Sequence, residues 1–202
     1  MTKPTKLALG IGAAAVACGL LTGVAAFPFD WLLAWTSFSC FLVAAAYFLN
    51  HPEVLCKNAG RISPLPGLAA LPYLVALRIA CELMRRRRRF PPLSAVTGEL
   101  WVGGRFEPRE LPDGVECIID LVAEFPAPAA LRAHPGYRSL PVLDGATPPD
   151  ERPVLELLEE IAGAEGAIVI HCDSGVGRAP TFAALALLRL GHAGDLPSAL
   201  GR

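Results

Sequence analysis

The chain has 202 residues and a formal net charge of −1, which conceals a split at Pro91-Pro92. Residues 1–92 carry ten Lys/Arg against three acids (Asp30, Glu53, Glu82), a net of +7; residues 93–202 carry eight Arg, no Lys and sixteen acids, a net of −8. With 53% hydrophobic residues and a mean hydropathy of +0.44, disorder throughout is excluded, and with only Lys3, Lys6 and Asp30 charged in the first fifty residues so is one plain soluble domain.

Leu7 to Phe27 and Trp31 to Leu49 are two charge-free stretches, each near the roughly 20 apolar residues that a bilayer core requires. Only Pro28, Phe29 and Asp30 separate them, which predicts a tight transmembrane hairpin over residues 1–50. Trp31 and Trp35 fall where an aromatic belt would lie, and Gly10, Gly12, Gly19 and Gly23 would allow close helix approach. A signal peptide over residues 1–26 is the competing reading, with Lys3 and Lys6 as its basic start; the second apolar stretch that follows at once argues against it. Both flanks of the hairpin are basic and its turn is not, so the positive-inside rule puts both termini in the cytoplasm. The expected setting is a multi-pass membrane protein, of the bacterial inner membrane type, with its soluble part cytoplasmic.

Residues 51–92 form the juxtamembrane stretch. Gly67 to Met84 predicts an amphipathic helix lying at the interface, because a third span would leave five arginines on the wrong side. The run Arg85, Arg86, Arg87, Arg88, Arg89 is of the type attracted to anionic lipid headgroups, and no aromatic interleaving or motif points to nucleic acid. The six cysteines (18, 40, 56, 81, 117, 172) are scattered, which indicates neither a disulfide framework nor a zinc site.

Residues 93–202 predict an α/β domain. Glu99 to Val102, Val115 to Leu121, Tyr137 to Val142 and Ala167 to His171 are predicted strands. Asp150 caps a predicted helix running to about Ala162, with Leu155, Leu158 and Ile161 as its apolar face, and Ala179 to Leu190 is a second helix with Gly191 as its stop. Strands alternating with helices indicate a mostly parallel central sheet flanked by helices.

Between the last strand and the last helix stands His171-Cys172-Asp173-Ser174-Gly175-Val176-Gly177-Arg178. A strand, a glycine-containing loop and a helix start make an anion site, because the loop N–H groups and the helix N-terminus converge on it. Residues Asp173, Ser174, Gly175, Val176 and Gly177 would cradle a phosphate, and Arg178 would close the ring with a bidentate fork. That positive cup favours the thiolate of Cys172, an in-line nucleophile beneath a bound phosphoryl group.

His171-Cys172, five residues, then Arg178, with Gly175 and Gly177 between, resembles the signature of the cysteine-based protein tyrosine phosphatases, in particular the dual-specificity branch. The resemblance implies a cysteinyl-phosphate mechanism without metal or other cofactor. It also implies an acid on an upstream loop; Leu140-Pro141-Val142-Leu143-Asp144-Gly145 resembles that loop and makes Asp144, 28 residues before Cys172, the general acid and then the general base. Asp150 is a competing acid but a better helix cap, and His171 would support Cys172 by hydrogen bonding. Trp101-Val102-Gly103-Gly104-Arg105 looks like the opening of such domains, Asp120 to Phe125 resembles their strand-end segment, and Asp144 to Pro148 resembles the subgroup that includes the mitochondrial phosphatidylglycerophosphate phosphatases.

Three departures qualify the resemblance. Ala179 stands where many members carry Ser or Thr, which predicts slow phosphoenzyme hydrolysis. Asp173 puts an acid in the loop, which is expected to disfavour polyanions. Arg202 comes about one helix before the usual domain end, so a C-terminal truncation is expected. The function expected is a membrane-anchored phosphomonoester hydrolase acting on a phosphoprotein or a phospholipid; the alternative is a catalytically weak phosphate-binding adaptor. Arsenate-reductase and rhodanese-like readings leave Asp144 unexplained.

Overall fold

The structure is a computed structural model and describes residues 2–87 and 91–200. Helix α1 (Lys3–Thr22) has Pro4 in its first turn and ends at Gly23; α2 (Phe29–Leu49) follows. The turn between them is therefore 23–28 and not Pro28-Phe29-Asp30. Pro4 suits a helix start, and Phe29 and Asp30 already belong to α2, where the Asp30 carboxylate meets the positive end of the helix dipole. Both helices are long and apolar enough to cross a membrane. Gly12 and Gly19 face α2: a Cβ at Gly19 would stand 3.2 Å from Ser37 Oγ, and that hydroxyl donates to Ala15 O at 2.7 Å.

After a 3₁₀ turn at Pro52–Leu55, β1 (Lys57–Asn58) and β2 (Arg61–Ile62) form a short antiparallel pair. The expected single helix over 67–84 is two, α3 (Pro64–Ala69) and α4 (Leu71–Arg86). Pro72 fits the first turn of a new helix but cannot continue an old one. Nor does this segment only lie along an interface. Trp35 Nε1 donates to Leu68 O at 3.1 Å and the Tyr73 N–H to Ser39 Oγ at 3.2 Å, while the Arg78 guanidinium sits 5.3 Å from the Phe125 ring centre. α4 thus runs as a strut from mid-α2 to the α/β domain, with Val75, Ile79 and Leu83 exposed along one side. Arg85 and Arg86 both pair with Glu82; Arg88 and Arg89 of the basic run lie outside the described residues.

The α/β domain comprises β3 (Leu93–Ala95), β4 (Leu100–Gly103), β5 (Val115–Val122), α5 (Ala129–Arg132), β6 (Tyr137–Val142), α6 (Arg152–Ala162), β7 (Ala167–His171), α7 (Arg178–Arg189) and α8 (Leu196–Leu200). The sheet order is β3-β4-β7-β5-β6, parallel except for β3 against β4. The central strands β5 and β7 are buried on both faces over most of their length, as their mainly apolar runs, broken in β5 by Glu116 and Asp120, require. Gly103 and Asp120 both register with His171, so β4, β7 and β5 end level and their loops share one edge.

The N-cap of α6 is Glu151, without a side-chain cap bond, and not the expected Asp150, which stands one residue earlier and accepts the Arg152 N–H at 3.0 Å in a local turn. The buried side of α6 is Leu158 and Ile161, flanked by Val154 and Leu157, and not Leu155, which is 59% exposed. The helical stripe through 154, 158 and 161 faces the sheet, and Leu155 falls off it by one residue. A separate apolar cluster joins Ala8 of α1 and Val43, Ala46 and Tyr47 of α2 to Ala123 and Leu143 of the domain, so the hairpin packs against the segments that follow β5 and β6.

A buried ion pair crosses the same junction. Lys57 Nζ donates to Asp120 Oδ2 at 2.8 Å and to Val122 O; Asp120 also accepts from the Tyr137 hydroxyl at 2.6 Å and the Val122 N–H at 2.9 Å. Burial alone would raise the Asp120 carboxyl, but His171, Lys57 and Tyr137 outweigh it and hold the group below its ordinary range. Stripping one partner from a buried pair leaves an uncompensated charge and costs about 3–5 kcal/mol. Lys57→Met should therefore lower stability by about 3 kcal/mol in denaturant titrations of the detergent-solubilised chain. Lys57→Met/Asp120→Asn should lose less than the two single variants added together.

Candidate active site

The segment at the end of β7 is built by its neighbours. Gly175 has φ +77° and a Cβ there would stand 2.5 Å from Gly104 N, so only glycine lets the loop lie this close to Gly103-Gly104. Ser174 bridges Gly104, the Arg105 N–H donates to Asp173 O at 3.0 Å and the Cys172 N–H to Gly103 O at 3.1 Å. Gly177, the N-cap of α7, keeps a negative φ of −125° and has open space where a Cβ would be. Positive φ and close approach to neighbouring backbone are thus found at Gly175 and not at Gly177.

Cys172 is buried, and its Sγ accepts the Gly175 N–H at 3.1 Å. Arg178 opens α7 and folds back under the loop. Its Nη1 donates to Glu124 Oε2 at 2.8 Å, to Leu121 O at 3.4 Å and to Val142 O. Its Nε is buried without a hydrogen bond and lies 3.8 Å from Asp144 Oδ1. Burial alone would lower the guanidinium, but Glu124 and then Cys172 outweigh it and keep it charged. A buried charged donor with nothing to donate to calls for a ligand, and a phosphate oxygen has the required chemistry.

Asp144 is half-buried. Its Oδ2 meets Lys3 Nζ at 3.0 Å, and its N–H donates to Glu124 Oε1 at 2.9 Å. The structure places Asp144 beside Arg178, while Asp150 stays just before the start of α6. Asp173 is not a free acid in the loop: its carboxylate pairs with the Arg105 guanidinium, which itself lies 4.7 Å from the Phe125 ring centre. The expectation that Asp173 repels polyanions is corrected accordingly, since its charge is matched locally. α4 reaches the same spot. Burial and the Asp173 carboxylate push the Cys81 thiol up to about 12.

His171 is buried edge-on against Phe106, with ring centres 5.0 Å apart. Its Nε2 is 3.8 Å from Asp120 Oδ1, too long for a hydrogen bond. Burial pushes the imidazole below its ordinary value; Asp120 and the Cys172 backbone pull the other way. Ser174 is half-buried and Val176 projects outward. Ala179 is fully buried, and the exposed Thr181 hydroxyl donates back to Gly177 O at 3.0 Å, so Thr181 does not replace the hydroxyl that Ala179 lacks.

Sequence reasoning missed Glu124, Asp120, Lys57 and Tyr47. The available signal was two acids, Asp120 and Glu124, inside an apolar run from Cys117 to Ala127. Buried acids are rare unless paired, but the partners, Arg178, Lys57 and Tyr47, lie 54, 63 and 77 residues away.

Residues 109–200, which include Glu124, Asp144, Cys172 and Arg178, match the model of a family described as Swiss Army Knife protein, DSP-PTPase phosphatase domain. No curated protein and no solved structure matches the chain. The mostly parallel sheet and this match support a phosphatase domain of the cysteine-based dual-specificity superfamily over the C-terminal part of the chain.

Proposed function

We propose that the protein is a membrane-anchored phosphatase that hydrolyses phosphomonoesters through a cysteinyl-phosphate on Cys172. The observation that carries this reading is the buried, unpartnered Nε of Arg178 beside Asp144, at the base of the loop that begins with Cys172. The thiolate attacks phosphorus; the P–S bond forms as the P–O bond breaks, and protonated Asp144 gives its proton to the leaving oxygen. Asp144, now a carboxylate, then takes a proton from water, whose oxygen attacks phosphorus and releases the thiolate. Arg178 and the loop N–H groups balance the charge that develops on the phosphoryl oxygens. Lys3 Nζ meets Asp144 Oδ2 at 3.0 Å in an exposed contact, which has to open for that carboxyl to reach the leaving oxygen.

The hairpin supports anchoring: its two helices have the length and apolarity of spans, and α4 adds an exposed apolar side beside Arg85, Arg86 and Arg87, suited to anionic headgroups. A phosphotyrosine or phosphoserine/threonine protein and a phospholipid both suit the chemistry. The lipid is favoured because the hairpin foot stands at the catalytic edge, with Lys3 on Asp144 and Asn50 Nδ2 donating to Thr147 O at 3.1 Å. A headgroup phosphate in the same leaflet would reach the site without leaving the membrane surface. The second reading, a weak or inactive phosphate-binding adaptor, is favoured by Ala179 and the turned-back Thr181 hydroxyl.

With an aryl phosphate, the wild-type protein should release a rapid burst of aryl alcohol and then turn over slowly; absence of any release points to the adaptor. Cys172→Ser should abolish release, and activity that survives it overturns the mechanism. Asp144→Ala should lower kcat about 10²–10⁴-fold, most for poor leaving groups. In vesicles, turnover of phosphatidylglycerophosphate should exceed that of phosphopeptides, and the reverse ranking would make a phosphoprotein the substrate. A membrane-impermeant maleimide should label the exposed Cys56 only from the cytoplasmic face of sealed membranes.

A further inference from the structure

We infer that Tyr47, in the last turns of the second apolar helix, is a positioning residue for the phosphate clamp, acting on Arg178 through Glu124. The inference rests on the proposed phosphatase reading and adds a role for the hairpin beyond anchoring.

Glu124 is 2% exposed and its two oxygens serve three partners. Oε1 accepts from the Tyr47 hydroxyl at 3.1 Å and from the Asp144 N–H at 2.9 Å; Oε2 accepts from Arg178 Nη1 at 2.8 Å. One carboxylate therefore ties together the hairpin, the acid loop and the clamp. A carboxylate held at both oxygens cannot rotate, and its orientation decides which face of the guanidinium is left for phosphate. With Nη1 occupied, Nε is turned toward the Asp144 side of the loop.

Tyr47 is equally constrained. It is 4% exposed and packs in the cluster with Ala8, Val43, Ala123 and Leu143, so its hydroxyl has one place to go. Lys3 on Asp144 and Asn50 on Thr147 hold the same acid loop from either side of the hairpin foot. The hairpin thus fixes the orientation of Glu124 as well as the position of the loop that carries Asp144.

The test uses the full chain in lipid nanodiscs, with inorganic phosphate as a competitive inhibitor of aryl phosphate hydrolysis and as a directly titrated ligand. Tyr47→Phe removes one hydrogen bond to a buried carboxylate and should weaken phosphate binding roughly tenfold, with KM raised in parallel and kcat less affected. Trp35→Phe is the control: it loses a bond on the same helix to Leu68 O, remote from Glu124, and should leave phosphate affinity and KM at wild-type values. Tyr47→Phe/Glu124→Gln should bind phosphate no more weakly than Glu124→Gln alone, because Tyr47 acts only through that carboxylate. Wild-type phosphate affinity in Tyr47→Phe overturns the inference, and so does an equal loss in Trp35→Phe, which would trace the effect to a loosened hairpin. A wild-type protein that neither binds nor releases phosphate overturns the phosphatase reading itself and this assignment with it.

Discussion

The buried Glu124 carboxylate is the contact on which the candidate site depends. A guanidinium as enclosed as that of Arg178 is tolerable only beside an opposite charge, because desolvating it without one costs several kcal/mol. Glu124 supplies that charge from the segment just after β5, across the sheet edge from α7. The same carboxylate accepts the Asp144 N–H, so clamp and acid are registered to each other by one side chain. The loop amides around Cys172 add a local positive field in a domain whose net charge is negative.

A second buried pair, Lys57 with Asp120, does similar work one strand position back. Asp120 lies level with His171 across β5 and β7, so the ion pair sits behind the residue that precedes Cys172. In both pairs β5 or the segment just after it contributes the acid, and at each a residue of the hairpin or its follow-on segment adds a donor. Such pairs add less to net stability than their Coulomb energy suggests, since desolvation offsets most of it. Their larger effect is on geometry: with both oxygens of each carboxylate hydrogen-bonded, the groups are held in one arrangement.

The charge split between the two parts of the chain acquires a structural meaning in this light. The basic front is not only a flank for apolar helices, because Lys3 and Lys57 each end on an acid of the α/β domain. Within that domain Arg105 matches Asp173, so the loop carries no uncompensated acid from that residue. On the proposed reading, the loop offers a phosphate Arg178 Nε and backbone N–H groups, a small and directional site that would suit a single phosphomonoester.

The sequence alone was enough to determine four of the five strands and the two longer helices of the α/β domain, the two apolar helices and the Cys172–Arg178 loop, though not β3, α5 or α8. These follow from local patterns: mainly apolar runs for buried strands, charge-free stretches for the hairpin, and glycines at fixed offsets in the loop. Asp144 was legible by resemblance to a loop of known chemistry, and the structure sets it beside Arg178. The break between α3 and α4, the path of α4 as a strut and the short strands at 57–62 were not legible, because packing against α2 and the sheet decides them. Glu124, Lys57 and Tyr47 were hidden for the same reason. A buried polar side chain has meaning only through its partner, and only the tertiary structure brings Tyr47, Glu124 and Arg178 from three separate elements into one hydrogen-bonded group.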